Sequence, residues 1–209
     1  ISQRYDRDSL EKRVANKLAL QAELGLPQNA DVPVVGAVMR LVDQKGPDIL
    51  ASAMRHLLLH ADLQFVLLGT GEHQYETDFW WLGHDFPDKA AVRLTFNEPL
   101  SERIYAGSDL FVMPSAFEPC GIGQMIAMRY GSLPVVRAVG GLADTVTPDT
   151  GFLFADYSAN ALIWAMSRAL DVYYNEPAEW RGRQRRAGGG GLSWGGAARP
   201  HPPPPPPRG

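Results

Sequence analysis

The sequence predicts an α/β domain built on a doubly wound parallel sheet. Three observations carry this. Short, β-branched apolar runs alternate with longer segments whose apolar residues recur at helical spacing. The short runs, such as PVVGAVMRL at 33–41 and LQFVLL at 63–68, do not alternate apolar with polar, so both faces of each strand are buried. Gly, Pro and small polar clusters mark each change of period and set the order β-α-β-α.

Residues 1–31 form a polar opening with a helix from Leu10 to Leu24, stopped by Gly25 with Pro27 beyond it. Pro33–Leu41 is the first strand. Pro47–His60 is a helix: Ile49, Leu50, Ala53, Met54, Leu57 and Leu58 share one face, and Pro47 suits the first turn, where an N–H is not needed. Leu63–Leu68 is the second strand, closed by Gly69-Thr70-Gly71, and Glu72–Leu82 a helix. Val92–Phe96 is a shorter strand, and Leu100–Ala106 a helix with Ser101 as its expected cap. Leu110–Met113 is a strand, Ile122–Tyr130 a helix, Leu133–Val136 a strand. Phe152–Phe154 is a short strand, and Ser158–Tyr174 a helix with Leu162, Ala165, Met166, Ala169, Leu170 and Tyr173 on its apolar face. This order is Rossmann-like.

The chain has 209 residues, 45% of them apolar, which is enough for a real core. No run approaches the ~20 apolar residues of a membrane span, and Ile1–Arg13 is too polar for a signal peptide. The expectation is a cytoplasmic protein with no membrane contact. A net charge of −3 argues against nucleic acid. Cys120 stands alone, so there is no internal disulfide or thiolate cluster, and no His, Asp and Glu grouping has metal spacing. No metal or cofactor is expected. The first residue is Ile1, which reads as the middle of a longer protein.

Residues 1–180 are read as the domain and 181–209 as a low-complexity, disordered tail. Fifteen of those 29 residues are Gly or Pro, with four consecutive Gly and six consecutive Pro. Such a composition buries too little apolar area to offset chain entropy, and the prolines favour polyproline II. The tail carries +6, leaving −9 on the first 180 residues. It reads as a solvated tail, including the product of a shifted reading frame, or as a proline-rich ligand for an adaptor domain.

The most informative stretch is Ser115–Gln124, which follows a buried strand and precedes a helix. Ligands of open α/β sheets bind beyond the carboxyl ends of the strands, and helix N-termini there hold anions. Glu118 sits at that exit, able to accept two sugar hydroxyls or to help cap the helix. Gly121 and Gly123 allow close approach, so the N–H groups of Ile122, Gly123 and Gln124 could hold a phosphate. Arg40 and Lys45 flank the loop after the first strand. Together they suit a diphosphate, one gripping bidentately and the other acting as a point charge; the plainer reading pairs them with Asp43 or Asp48. Gly69-Thr70-Gly71 has the start of a dinucleotide fingerprint, but Gln74 occupies the third glycine position, so a turn with positive φ is the stronger reading. Gly140-Gly141-Leu142 reads as a loop that wraps a ligand or as an ordinary turn. Tyr105 either stacks on a base or packs in the core. Cys120 is either a nucleophile or, with no neighbouring base, a small half-buried thiol.

Arg40-x4-Lys45-Gly46, Tyr105-Ala106-Gly107-Ser108-Asp109, Glu118-Pro119-Cys120-Gly121 and Gly140-Gly141-Leu142-Ala143-Asp144-Thr145-Val146 together resemble the C-terminal half of bacterial glycogen synthases and plant starch synthases. Asn16-Lys17 through Gly25-Leu26-Pro27 resembles the start of that half. The resemblance covers about residues 1–175. It implies the C-terminal domain of a two-domain GT-B fold and transfer of glucose from ADP-glucose, with retention, to the non-reducing end of an α-1,4-glucan. Arg40 and Lys45 would then neutralise the leaving diphosphate and Glu118 would bind the donor sugar. Cys120, Gly121, Ile122, Gly123 and Gln124 would line the sugar-phosphate pocket. Tyr105 would stack on adenine, and Gly140, Gly141 and Leu142 would border the donor. Two departures stand out. Ile126 occupies the position, eight residues after Glu118, where many related transferases have a second Glu. The family's N-terminal half, with its Lys-x-Gly-Gly-Leu loop and its His, is absent from the sequence, as is the usual closing helix. The resemblance therefore implies a donor-binding half that is inactive alone, its partner the missing N-terminal domain. Transferases using another nucleotide sugar, or a non-catalytic module with a proline-rich tail, are the alternatives.

Overall fold

The structure is a computed structural model that describes residues 1–6 and 8–189. Six strands, β1 (Val34–Val38), β2 (Gln64–Leu68), β3 (Ala90–Arg93), β4 (Leu110–Met113), β5 (Leu133–Arg137) and β6 (Phe152–Phe154), form one sheet. Their spatial order is β3-β2-β1-β4-β5-β6, and every pairing is parallel. Around it lie α1 (Arg13–Leu24), α2 (Pro47–His60), α3 (His73–Asp85), α4 (Glu98–Gly107), α5 (Gly123–Arg129), α6 (Gly140–Thr145), α7 (Ala159–Asn175) and α8 (Pro177–Gly189). The strand order reverses between β1 and β4, which makes that point the crevice where such sheets bind ligands.

Successive side chains of a strand point to opposite faces, and both faces here are covered. Phe65 and Leu67 of β2 enter one core with Leu50, Met54 and Leu57 of α2, Phe79 of α3, and Leu162 and Met166 of α7. Val66 and Leu68 enter the other, with Leu20 and Leu24 of α1 and Leu100 and Ile104 of α4. That is why the strands read as unbroken apolar runs. On the amino-terminal side of the reversal, Asp109 ties the sheet together. Its Oδ2 accepts from the Val34 N–H at 2.9 Å and pairs with Lys17 Nζ of α1 at 2.8 Å.

Four expectations change. The third strand lies at Ala90–Arg93, not at 92–96, because the β2 register pairs Phe65 with Ala90 and Leu68 with Arg93 and ends there. Leu94–Phe96 thereby leaves the sheet. The α4 cap is Asn97, whose side chain accepts from the Leu100 N–H, while Ser101 lies inside the helix and donates to the Glu98 carbonyl. Residues 140–145 are helix rather than loop.

The fourth change concerns the tail. Helix α8 runs to Gly189, so the disordered region does not begin at 181. Trp180, Gln184 and Ala187 recur on one face and are buried. Trp180 meets Tyr173 edge-on at 4.9 Å, Gln184 donates to the Gly131 carbonyl at 2.7 Å, and the Arg183 guanidinium lies 4.8 Å over Phe152. Composition hid this helix because few anchored side chains suffice when they fall at helical spacing. The position of the family's usual closing helix, around Ser193-Trp194, is beyond this helix. The rest of the tail, 190–209, lies outside the described residues.

Candidate functional site

The loops that leave β1, β4 and β5 at their carboxyl ends stack on one another backbone to backbone. After β1, Asp43–Lys45 forms a 3-10 turn and Gly46 takes φ +72° before α2. A Cβ on Gly46 would stand 2.2 Å from the Pro114 carbonyl oxygen, so glycine sets how closely the first loop packs on the second. The Ala116 N–H donates to the Gln44 carbonyl at 2.9 Å, closing the same junction. On the other side the Gly141 N–H donates to the Glu118 carbonyl at 2.9 Å. A Cβ on Gly141 would fall 2.0 Å from the Cys120 oxygen. The double glycine is thus a packing requirement.

This packing brings Lys45 and Glu118 together. Lys45 Nζ stands 2.5 Å from Glu118 Oε2, and the Ser115 hydroxyl lies 3.4 Å from the same oxygen. Glu118 is only 7% exposed, so a nearby cation compensates much of the cost of burying its charge. Neither cation of the first loop pairs with Asp43 or Asp48; those carboxylates accept from the hydroxyls of Tyr75 and Tyr157. Arg40 is exposed and forms no ion pair among the described residues.

The turn after Glu118 is braced from within. Gly121 takes φ +63°, and the fully buried Gln124 donates to the Gly121 carbonyl at 3.0 Å and to Thr145 Oγ1 at 2.9 Å. Gln124 is therefore a brace, and its Oε1 finds no hydrogen-bond partner among the described residues. The N–H groups of Ile122, Gly123 and Gln124 head α5, where helices leave donors free, and Ile122 is exposed. Cys120 is an exposed thiol, not a half-buried one. Leu142 is fully buried in the core, so only the backbone of 140–142 can border a ligand. The Gly69-Thr70-Gly71 turn has no positive φ. Its glycines instead admit the carbonyls of Met39 and Leu41, each within about 2.2 Å of where a Cβ would be.

Tyr105 does not offer a face to a base. It is 8% exposed, lies against Phe111 with centroids 4.7 Å apart and runs parallel to Tyr130 at 6.3 Å. Burial pushes its hydroxyl up to about 12. Phe96 does offer a face. It is 84% exposed beside a cavity of about 410 Å³ that opens at the ends of β1 and β2. Val38, Met39, Leu68 and Gly69 supply apolar walls, and Arg40 and Thr70 supply polar groups. The sequence reading missed Phe96 by placing it inside a strand. It also missed Arg137, which holds the loop before Glu118 by donating to the Ala116 carbonyl at 2.6 Å. The available signal was an aromatic directly before the Asn97 cap, at a strand exit.

Among the described residues, no group of three or more His, Cys, Asp and Glu is placed to hold a metal ion. No helix there is long and apolar enough to cross a membrane.

Residues 24–186 match the family model of glycosyl transferases group 1. The chain is 52% identical over 176 residues to a glycogen synthase of Clostridioides difficile, covering 81% of this chain and 36% of that protein. It is 48% identical over 190 residues to a glycogen synthase of Streptococcus mutans, covering 88% and 40%. The catalytic domain of starch synthase IV from Arabidopsis thaliana, solved bound to ADP and acarbose, superposes with a TM-score of 0.86 at 34% identity, covering 93% of this chain and 42% of that one. The chain thus spans well under half the length of these relatives. A doubly wound sheet, a ligand crevice at its strand-order reversal and a match over most of the sequence agree: the chain belongs to the glycosyl transferases group 1 family.

Proposed function

We propose that this chain supplies the donor-binding half of a retaining glucosyltransferase that extends α-1,4-glucan from ADP-glucose in glycogen or starch synthesis. One observation carries the reading. An aromatic-edged cavity over the ends of β1 and β2 contains Arg40, which has no ion pair among the described residues, and the same loop continues to the Lys45–Glu118 pair at the β1–β4 strand-order reversal. The base sits against Phe96 over the ends of β1 and β2. Arg40 and Lys45 hold the diphosphate and take up negative charge as it leaves, a fixed electrostatic contribution to the transition state. Glu118 accepts hydrogen bonds from the donor sugar's hydroxyls, its charge kept in place by Lys45. The N–H groups at the head of α5 contact the phosphate next to the sugar. Acceptor glucan and an N-terminal GT-B domain complete the reaction.

The relatives support the donor's chemistry: two are named glycogen synthases, and the starch synthase IV structure holds ADP. Calorimetric titration of the 209-residue protein with ADP-glucose and UDP-glucose tests the reading. Binding of ADP-glucose at least about tenfold tighter, a difference of about 1.4 kcal/mol, is expected. Equal affinities, or a preference for UDP-glucose, refute the assignment of the donor.

A further inference from the structure

The outer face of α3 carries two neighbouring tryptophans that the donor site does not use. Trp80 and Trp81 are 52% and 49% exposed. Large aromatics left in solvent mark contact surfaces. Their geometry is fixed. The two indoles meet edge-on at 4.9 Å and 86°, and His84 meets Trp81 edge-on at 5.4 Å while stacking on Trp80 at 5.2 Å and 6°. A ring held this way loses little freedom when a ligand covers it.

Trp81 walls one side of a recess of about 400 Å³ between α2 and α3, within the range of about 300–1,000 Å³ typical of ligand sites. Asp48, Ser52, Arg55, Asp78 and Asp85 supply its polar groups. Arg55 and Asp85 are paired at 2.7 Å, and Asp48 accepts from the Tyr157 hydroxyl at 2.6 Å. Asp78 has no ion-pair partner among the described residues. None of these residues lines the cavity beside Phe96.

The lining selects among occupants. An apolar peptide would desolvate three carboxylates and a guanidinium without replacing their hydrogen bonds. A polyanion would meet three carboxylates against one guanidinium. A pyranose fits both parts: its C–H face covers an indole, and its hydroxyls donate to carboxylates and accept from arginine. We propose that this recess holds glucosyl units of an α-glucan, as an anchoring site separate from the donor crevice. The inference rests on reading the chain as part of a glucan-extending enzyme.

Native electrophoresis of the 209-residue protein in gels containing glycogen tests it, alongside ADP titration of the same preparation. Glycogen retards the unmutated protein. Trp81→Ala weakens that retardation about tenfold, by losing a stacked aromatic contact and the area it covers. Asp78→Ala weakens it less, and both variants bind ADP as tightly as the parent. Both positions are on the surface, and a thermal melt confirms that each variant folds. Retardation unchanged in both variants overturns the proposal. So does a parent protein that binds ADP and ignores glycogen, which leaves the donor reading standing. A concentration-dependent dimer that Trp81→Ala abolishes, without glycogen retardation, also overturns it and makes the face a contact between copies. Loss of ADP and glycogen binding together overturns both readings.

Discussion

Lys45 and Glu118 lie 73 residues apart in sequence, yet Nζ stands 2.5 Å from Oε2 at the point where two loops touch. Lys45 still reaches solvent while Glu118 is almost buried. Removing the lysine therefore leaves a carboxylate with little water to replace it. Lys45→Ala is expected to cost about 2 kcal/mol, below the 3–5 of a fully buried pair. In a double-mutant cycle read by urea denaturation, adding Glu118→Gln should recover part of that loss. Strict additivity would mean that the pair contributes nothing.

Gly141→Ala should damage the site more than its size suggests. The added Cβ would fall 2.0 Å from the Cys120 oxygen, a backbone atom that moves only with its loop. Stability is expected to fall by about 1–3 kcal/mol, as for overpacking. ADP-glucose affinity should fall as well, because Glu118 rides on the displaced segment. Calorimetry on folded protein separates the two effects.

Phe96→Ala and Tyr105→Phe form a matched pair. Phe96 is exposed at the cavity rim, so its loss should leave the melting temperature unchanged and weaken ADP binding by about 1–3 kcal/mol, the scale of base stacking on an aromatic. Tyr105→Phe keeps the buried ring and should leave ADP binding unaltered. Titration of ADP into Phe96→Ala tests whether this ring meets the base, and Tyr105→Phe tests whether the buried hydroxyl takes part.

Alkali should expose the burial of Tyr105. Burial holds its hydroxyl pKa up at about 12, against the ordinary 10.0 of tyrosine. Below pH 10 both states hold the proton, and the stability that goes with it is complete. Between about 10 and 12 the unfolded chain ionises first, so stability falls as pH rises. At pH 11 the share from Tyr105 is on the order of 1 kcal/mol. Denaturation at pH 9 and pH 11 should show a smaller loss for Tyr105→Phe than for the parent.

Trp180→Ala tests α8. The indole is 7% exposed and lies edge-on to Tyr173. Its loss should cost about 3–5 kcal/mol and shift the thermal transition of the whole domain. An unchanged melting temperature would mean that α8 does not belong to the core.

The strands and most helices were legible because parallel strands buried on both faces must be apolar throughout. Pro47–His60 was read to the residue for the same kind of reason: its apolar stripe, first-turn proline and following break all agree. Positions governed by register or by a distant partner were not legible. The end of β3 is set by its pairing with β2, which no local pattern encodes, and that error hid Phe96. Gly140 and Gly141 looked like loop glycines, whereas backbone atoms 20 or so residues earlier demand them. Arg40, Lys45 and Glu118 could be placed at strand exits from the sequence alone, because the apolar runs before them mark where each strand ends. That Lys45 would pair with Glu118 required the fold.

The two halves of the sheet are joined at β1 and β4 by only two paired positions, Val35 with Leu110 and Gly36 with Phe111, while β1 and β2 share five. Phe96, Arg40 and Lys45 belong to one half; Glu118 and the head of α5 belong to the other. A donor held as proposed would bridge the shortest strand pairing of the sheet and brace it. Amide exchange along β1 and β4 should slow when ADP-glucose is bound, more than along β2. Ligand occupancy and mechanical integrity of this domain are then a single variable.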